Sequence, residues 1–291
     1  MTTNSVKFKL VASKAQLLTE EVSKTDVKCL NGLDLSLQVR YSKNVDELAV
    51  NCFIQNTEIL YEGVFSTFSC IGDRKSKYFT YSHTERESMY DNPFDQQVDD
   101  PLRYLSEDDQ LLVSLVISVE RLTVIDLTKP QKYSNNALVE FDDGKQYFVS
   151  KNVLSLHSPY FSALFKSHQD VYELPKVDKD AFKKALHHMY GFSINYNYIF
   201  EEDLKEILEL AERFQFDVVF RAIEDYLITL EDDALKEWME VAQKYRMHCV
   251  TEKIINAMSE DELYDLKTSC LLGEDCSTKI TEQLLCKLSI N

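Results

Sequence analysis

Glycine and proline are both scarce in this chain, 6 and 5 among 291 residues. So few glycines leave little backbone for phosphate-cradling loops. No GxGxxG, no loop ending in Gly-Lys-Ser/Thr, no HExxH and no GxSxG occurs, so the common signatures of nucleotide, metalloprotease and hydrolase chemistry are missing. Paired cysteines are lacking too. Cys29, Cys52, Cys70, Cys249, Cys270, Cys276 and Cys286 form an odd, scattered set without a CxxC, which argues for reduced thiols rather than a disulfide scaffold. Zinc needs Cys or His ligands at close spacing, and Cys270 with Cys276 has no further ligand nearby, so neither a metal nor a cofactor is expected. Long apolar runs are also missing. The most apolar stretch, Leu111 to Val119, is too short to span a bilayer, and the start MTTNSVKFKLVASK lacks the apolar core of a signal peptide. These features predict an intracellular protein, of cytoplasm and/or nucleus, with no membrane partner. Positive charge is short as well. With 32 basic against 49 acidic residues the formal net charge is −17, and no basic run of five interrupts it. Such a field repels phosphate backbones and excludes nucleic acid as the expected partner.

Isolated polar groups do not assemble a catalytic set. His187 and His188 fall on a predicted helix and read as one core and one surface histidine, while His157 sits in a polar corner and satisfies local backbone. The acidic pairs Asp108-Asp109 and Asp232-Asp233 read as loop or helix-start residues beside the positive end of a helix dipole. No enzymatic activity is expected.

The richest stretch runs from Val149 to Lys166, VSKNVLSLHSPYFSALFK. Ser158 before Pro159 predicts a helix start, because the hydroxyl caps orphan N–H groups and proline at the first helical position gives up nothing. Tyr160, Phe161, Leu164 and Phe165 then recur at helical spacing. Val153, Leu154 and Leu156 form a second apolar cluster upstream of the His157-Ser158-Pro159 corner. The prediction is two short helical turns meeting at a capped bend, either buried as an ordinary corner or turned toward a partner. Just before it, ALVEF (137–141) and KQYFV (145–149) flank Asp142-Asp143-Gly144, a hairpin signal because the tight turn needs positive φ.

On either side the periodicity changes. From Val6 to about Leu127 the pattern is mostly β: Leu33, Leu35, Leu37 and Val39 alternate, as do Leu48, Val50 and Cys52, and Leu111 to Leu122 closes the series. Asp91 to Asp109, acidic and containing Pro93 and Pro101, reads as loop. Several short strands at regular spacing predict an antiparallel sandwich. Its aromatics (Phe65, Phe68, Tyr78, Phe79, Tyr81, Tyr90, Phe94, Tyr104) read mostly as core, with a peptide groove as the other reading. After the corner the pattern is helical. Leu204, Ile207, Leu208 and Ala211 mark one helix, and Val219, Ile223, Tyr226 and Leu230 the next. Leu235, Trp238, Met239, Ala242 and Tyr245 then share a face, followed by Ile254, Ile255 and Met258, and by Ile280, Leu284 and Leu288.

The string GK-x-Y-F-V-x-K-x-x-L-x-x-x-S-P-Y-F-x-x-L-F, running from Gly144 to Phe165, resembles the BTB (POZ) family. YELPKVDKDAFKKALHHMYG resembles that family's next strand and helix, and LKEILELAERFQFDVVFRAIEDYL its closing helix pair. The N-terminal region is similar to a MATH domain through LSLQV, LAVNC, VFSTFSC and the ending SEDDQLLVSLVISVERL, although it has no tryptophan where MATH domains usually carry them. The resemblance implies an α+β chain: a MATH-like antiparallel β-sandwich over 1–130, a BTB/POZ α/β domain over 134–230, and a helical extension over 231–291 similar to the start of a BACK region.

By the same resemblance the chain is a BATH-type protein-interaction adaptor. It would homodimerise through Leu154, Leu156, Tyr160, Phe161 and Leu164, bind cullin-3, and hold an unknown protein substrate through its N-terminal domain as the substrate-recognition subunit of a ubiquitin ligase. The alternative is a non-degradative BTB scaffold for transcriptional or cytoskeletal assembly. Two positions depart from the family. Asn136 stands where the family often has Asp, while Lys151 keeps the basic partner position. The loop after the SPYF helix is cut to Ser167-His168-Gln169-Asp170. The implied cullin contacts are therefore Phe165, His168, Val171 and Glu173, with Val171-Tyr172-Glu173 expected inside a strand.

Overall fold

A computed structural model of the chain describes residues 5–19, 22–72, 78–88, 94–132, 135–194, 196, 199–259 and 261–263, with the backbone alone over 78–88. They group into two compact units. The first holds residues up to 132 together with 146–149 and 192–194, and the second holds 135–145, 150–191 and the described residues from 196 onward.

In the first unit β1 (Ser5–Ser13) ends at Ser13, whose side chain opens α1 (Lys14–Leu18) with a reciprocal cap to Gln16. There follow β2 (Ser23–Lys24), β3 (Lys28–Leu30), β4 (Leu33–Ser42), β5 (Glu47–Ile54), β6 (Ile59–Gly72), β7 (Tyr78–Ser88), β8 (Phe94–Asp99) and β9 (Gln110–Asp126). One sheet is ordered β1-β9-β6-β7; the other is ordered β2-β4-β5-β8, with β3 also on β4. The strands pair antiparallel throughout the described part of both sheets. Alternating residues from both sheets, among them Phe8, Leu35, Leu37, Val50, Phe65, Leu115 and Ile117, fill one shared core, which is how an antiparallel sandwich buries one face of each sheet. Inside it, the Ser69 hydroxyl donates to Gln96 Oε1 at 2.6 Å, so two buried polar groups satisfy each other. β6 carries a bulge between Val64 and Phe65. A Cβ at Gly63 beside it would stand 2.7 Å from a Phe65 ring carbon, so only glycine fits there.

The segment 91–109 corrects a sequence expectation. It contains β8, in which Phe94, Gln96 and Val98 are buried and Asp95, Gln97 and Asp99 exposed, and then a 3-10 turn over Pro101–Tyr104. The acidic residues that made it look like loop are the outward half of a strand alternation. Phe65, Phe94 and Tyr104 are core, while Phe68 faces out with 37% of its surface exposed. The side chains of Tyr78, Phe79 and Tyr81, and all of Tyr90, lie outside the described residues.

After the sandwich strands the chain continues into β10 (Asn136–Phe141) and β11 (Gln146–Ser150). Their turn is closed by Gly144 N–H donating to Phe141 O at 2.9 Å, with Gly144 at φ 77° as a tight hairpin requires. Next come α2 (Lys151–His157), α3 (Pro159–Leu164), a 3-10 turn over Phe165–Ser167 and β12 (Val171–Leu174). β12 pairs in parallel with β10, giving a sheet ordered β11-β10-β12. The rest is helical: α4 (Lys179–Met189), α5 (Glu201–Phe214), α6 (Asp217–Leu227), α7 (Asp232–Lys236), α8 (Met239–Lys244) and α9 (His248–Ala257). Asp178 caps α4 by accepting the N–H groups of Asp180 and Ala181 at 2.9 and 2.8 Å. The apolar stripes Leu204/Ile207/Leu208/Ala211 and Leu235/Trp238/Met239/Ala242 are buried, as are Ile254, Ile255 and Met258. Ile280, Leu284 and Leu288 lie outside the described residues, as do Cys270, Cys276 and Cys286.

Candidate protein-interaction surface

The bend between α2 and α3 is built from two serines. Ser150 Oγ accepts the Val153 N–H at 3.4 Å and starts α2; Ser158 Oγ accepts the Phe161 N–H at 3.0 Å and starts α3. Ser158 is fully buried, and its hydroxyl also donates to the carbonyl of Phe214 at 2.5 Å, tying the bend to the end of α5. Pro159 at the first helical position completes the corner.

Phe161 drives the packing. Its ring lies 5.2 Å from Phe214, 5.5 Å from Phe165, 6.1 Å from Phe182, and stacks on Phe216 at 5.7 Å with 2° between planes. Such contacts add about 0.5–1.5 kcal/mol per pair beyond area burial.

This packing sorts the five residues expected to face a partner. Leu154 and Phe161 are fully buried and cannot present a surface; they correct that expectation, because the helical period marks a stripe but not which side of it meets the core. Leu164 is half-buried. Leu156 is 79% exposed and Tyr160 37% exposed, one on each side of the bend, although the Tyr160 ring also leans on Phe214 at 5.0 Å. The exposed apolar surface of the corner is therefore Leu156 with the edge of Tyr160.

The remaining expected residues scatter. Phe165 is buried and meets Tyr172 edge-on at 5.0 Å, so it supports β12 from inside instead of touching a partner. His168 is exposed, turns the chain with φ 50°, and holds the Lys166 carbonyl with Nδ1 at 2.6 Å. Val171 and Glu173 lie within β12, as their string predicts, with Val171 half-buried and Glu173 exposed while Tyr172 and Leu174 point inward. Lys151 donates to the Tyr172 hydroxyl at 3.2 Å, and its ammonium stands 5.2 Å and 5.8 Å from the Tyr172 and Phe165 ring centres. A cation over ring faces is stabilised there. Asn136 is half-buried in β10, and the Lys151 N–H donates to the neighbouring Asn135 carbonyl at 2.7 Å.

The histidine pair differs from expectation. His187 is fully buried, with Nδ1 3.0 Å from the Lys183 carbonyl. His188 is not a surface residue: its Nε2 lies 2.7 Å from the Tyr196 hydroxyl, and the rings stack at 5.7 Å. Burial pushes its pKa down to about 4, and burial raises that of Tyr196. Among the described residues no group of three His, Cys, Asp or Glu is placed to hold a metal ion, and no helix is long and apolar enough to cross a membrane.

One strongly exposed aromatic residue escaped sequence reading. Phe200, 76% exposed, occupies the N-cap of α5 directly before Glu201, Glu202 and Asp203. The available signal was an aromatic residue at a position that usually takes a small polar cap.

Hairpin, capped corner, parallel return strand and paired helices fit one known arrangement, and residues 126–231 match the family model of the BTB/POZ domain. Residues 126–231 are a BTB domain. The chain is 22% identical over 160 residues to BTB and MATH domain-containing protein 45 of Caenorhabditis elegans, covering 50% of this chain and 33% of that protein. It is 24% identical over 141 residues to BTB and MATH domain-containing protein 15 of the same organism, covering 42% and 50%. The match thus spans between a third and a half of the length of these relatives. The sandwich that precedes the BTB domain is consistent with a MATH-like domain. A solved structure titled "Structure of PfGH50B" aligns at 7% identity over 38% of this chain and 23% of that one, with a TM-score of 0.12, and carries no argument about the fold.

Proposed function

We propose that this chain is a non-enzymatic protein-interaction adaptor, acting inside the cell in cytoplasm or nucleus as the substrate-recognition subunit of a cullin-3 ubiquitin ligase. In this reading the BTB domain joins two copies and binds the cullin, and the MATH-like unit holds a protein substrate. The names of the curated relatives, which pair BTB with MATH, support that division of labour. The observation that carries the reading is Leu156, a large apolar side chain 79% exposed beside a rigidly capped corner. A bulky aliphatic residue held on a stiff frame is suited to anchor a self-complementary contact at little entropic cost. The adaptor's physical work is proximity: by holding substrate and ligase together it raises their effective concentration, and the bond-forming chemistry belongs to its partners.

A second reading is favoured by one feature. The connection after α3 is short, and Val171 and Glu173 are paired into β12, so no projecting loop is offered to a cullin there. A BTB scaffold that dimerises without a cullin fits that geometry. A pull-down with cullin-3 separates the two. Capture by the wild-type chain supports the ligase reading; no capture, where a related BTB adaptor is captured in parallel, leaves the scaffold.

A further inference from the structure

Along β1, β9 and β6 the residues alternate between the shared core and the opposite face of the sheet. In register, Val11 lies beside Leu112, and Lys7 beside Val116 and Phe68. Val11 and Phe68 are 52% and 37% exposed, Leu112 and Val116 are half-buried, and Lys7 and Lys9 are exposed. The remaining outward positions of these three strands, up to the bulge at Val64/Phe65, are serines, Gln110, Gly72 and Cys70, the last of them buried. None is acidic, in a chain with 49 Asp and Glu. Among the described residues no ion pair engages Lys7 or Lys9.

A sandwich face that meets only water is normally covered by charged side chains of both signs. This face instead carries two apolar rows, Val11/Leu112 and Val116/Phe68, with Lys7 and Lys9 of β1 beside and between them, on a protein of net charge −17. We propose that it is a docking surface for an extended protein segment in which acidic and apolar residues alternate. The apolar side chains would cover Phe68, Val116 and Leu112, and the carboxylates would meet Lys7 and Lys9. Charge complementarity selects this occupant over a second copy, because two such faces packed together bring the lysines of both copies into one interface. The proposal deepens the reading of the first unit as the half that holds a protein partner, and rests on it in that respect. Its test uses the full chain without cullin, so failure of the ligase reading and failure of this one are distinguishable.

The probe is a fluorescein-labelled peptide of alternating Glu and Val, compared by anisotropy with its Lys–Val counterpart. The expected result is saturable binding of the acidic peptide at roughly tens of micromolar, at least about tenfold tighter than the basic one and weakening as salt rises. K7E/K9E should weaken it about tenfold, and F68T about as much, while K166E in the BTB domain leaves it unchanged. Circular dichroism identifies any variant that fails to fold, and for a misfolded F68T the isosteric V116T replaces it. Equal binding of both peptides, or binding indifferent to K7E/K9E, overturns the proposal. So does binding to phosphatidylserine vesicles in place of the peptide, or an association of copies that K7E/K9E abolishes.

Discussion

Ser158 Oγ stands between two backbone groups, accepting the Phe161 N–H at 3.0 Å and donating to the Phe214 carbonyl at 2.5 Å. One buried hydroxyl thus starts α3 and fastens it to the last residue of α5. Ser158→Ala removes the cap and leaves a buried carbonyl without its donor. The expected loss is about 2–3 kcal/mol, read as a lower urea midpoint with unchanged slope.

Phe161 and Leu156 lie five residues apart and should fail in opposite ways. Phe161→Ala empties the centre of an aromatic cluster and should cost about 3–5 kcal/mol in the same urea assay. Leu156→Ala, at a site 79% exposed, should stay within about 0.5 kcal/mol and instead weaken self-association in light scattering.

His188 predicts a pH dependence. Burial lowers its pKa from 6.5 to about 4 in the folded chain. Between those values the unfolded chain takes up a proton that the folded chain refuses, so stability falls as pH drops through the window. The full effect is on the order of 3 kcal/mol at most. Carboxylates titrate near its lower end, so the measurement is the difference in stability-versus-pH slope between wild type and His188→Gln. The variant should be flatter from pH 6.5 to 4.

Thiol reactivity should follow burial. Cys29 and Cys249 are exposed, whereas Cys70 is buried and burial pushes the buried Cys52 thiol up to about 12. Brief alkylation of the native chain at pH 8, mapped by mass spectrometry, should label Cys29 and Cys249 and spare Cys52 until denaturant is added.

The sequence made local devices legible, and placement less so. Ser158-Pro159 and Asp142-Asp143-Gly144 each dictate geometry within a few residues, and both form as read. β8 was missed because Asp95, Asp99 and Asp100 outweighed a short Phe94/Gln96/Val98 alternation. Leu154, Phe161 and Leu156 read alike by spacing. Burial separates them: Leu154 and Phe161 are inside, Phe161 under Phe182, Phe214 and Phe216, which arrive from distant parts of the chain, while Leu156 is left outside. His188 looked like surface for the same reason: its cover, Tyr196, comes from beyond α4. The uncharged face of β1, β9 and β6 needs strand register before it exists as a surface at all.

Sedimentation velocity of the chain alone and mixed with purified cullin-3, at tens of micromolar, tests the adaptor account most directly. The account predicts a homodimer that Leu156→Asp converts to monomer, and a faster boundary for wild type when cullin-3 is added. A wild-type monomer whose boundary is unmoved by cullin-3 would contradict it.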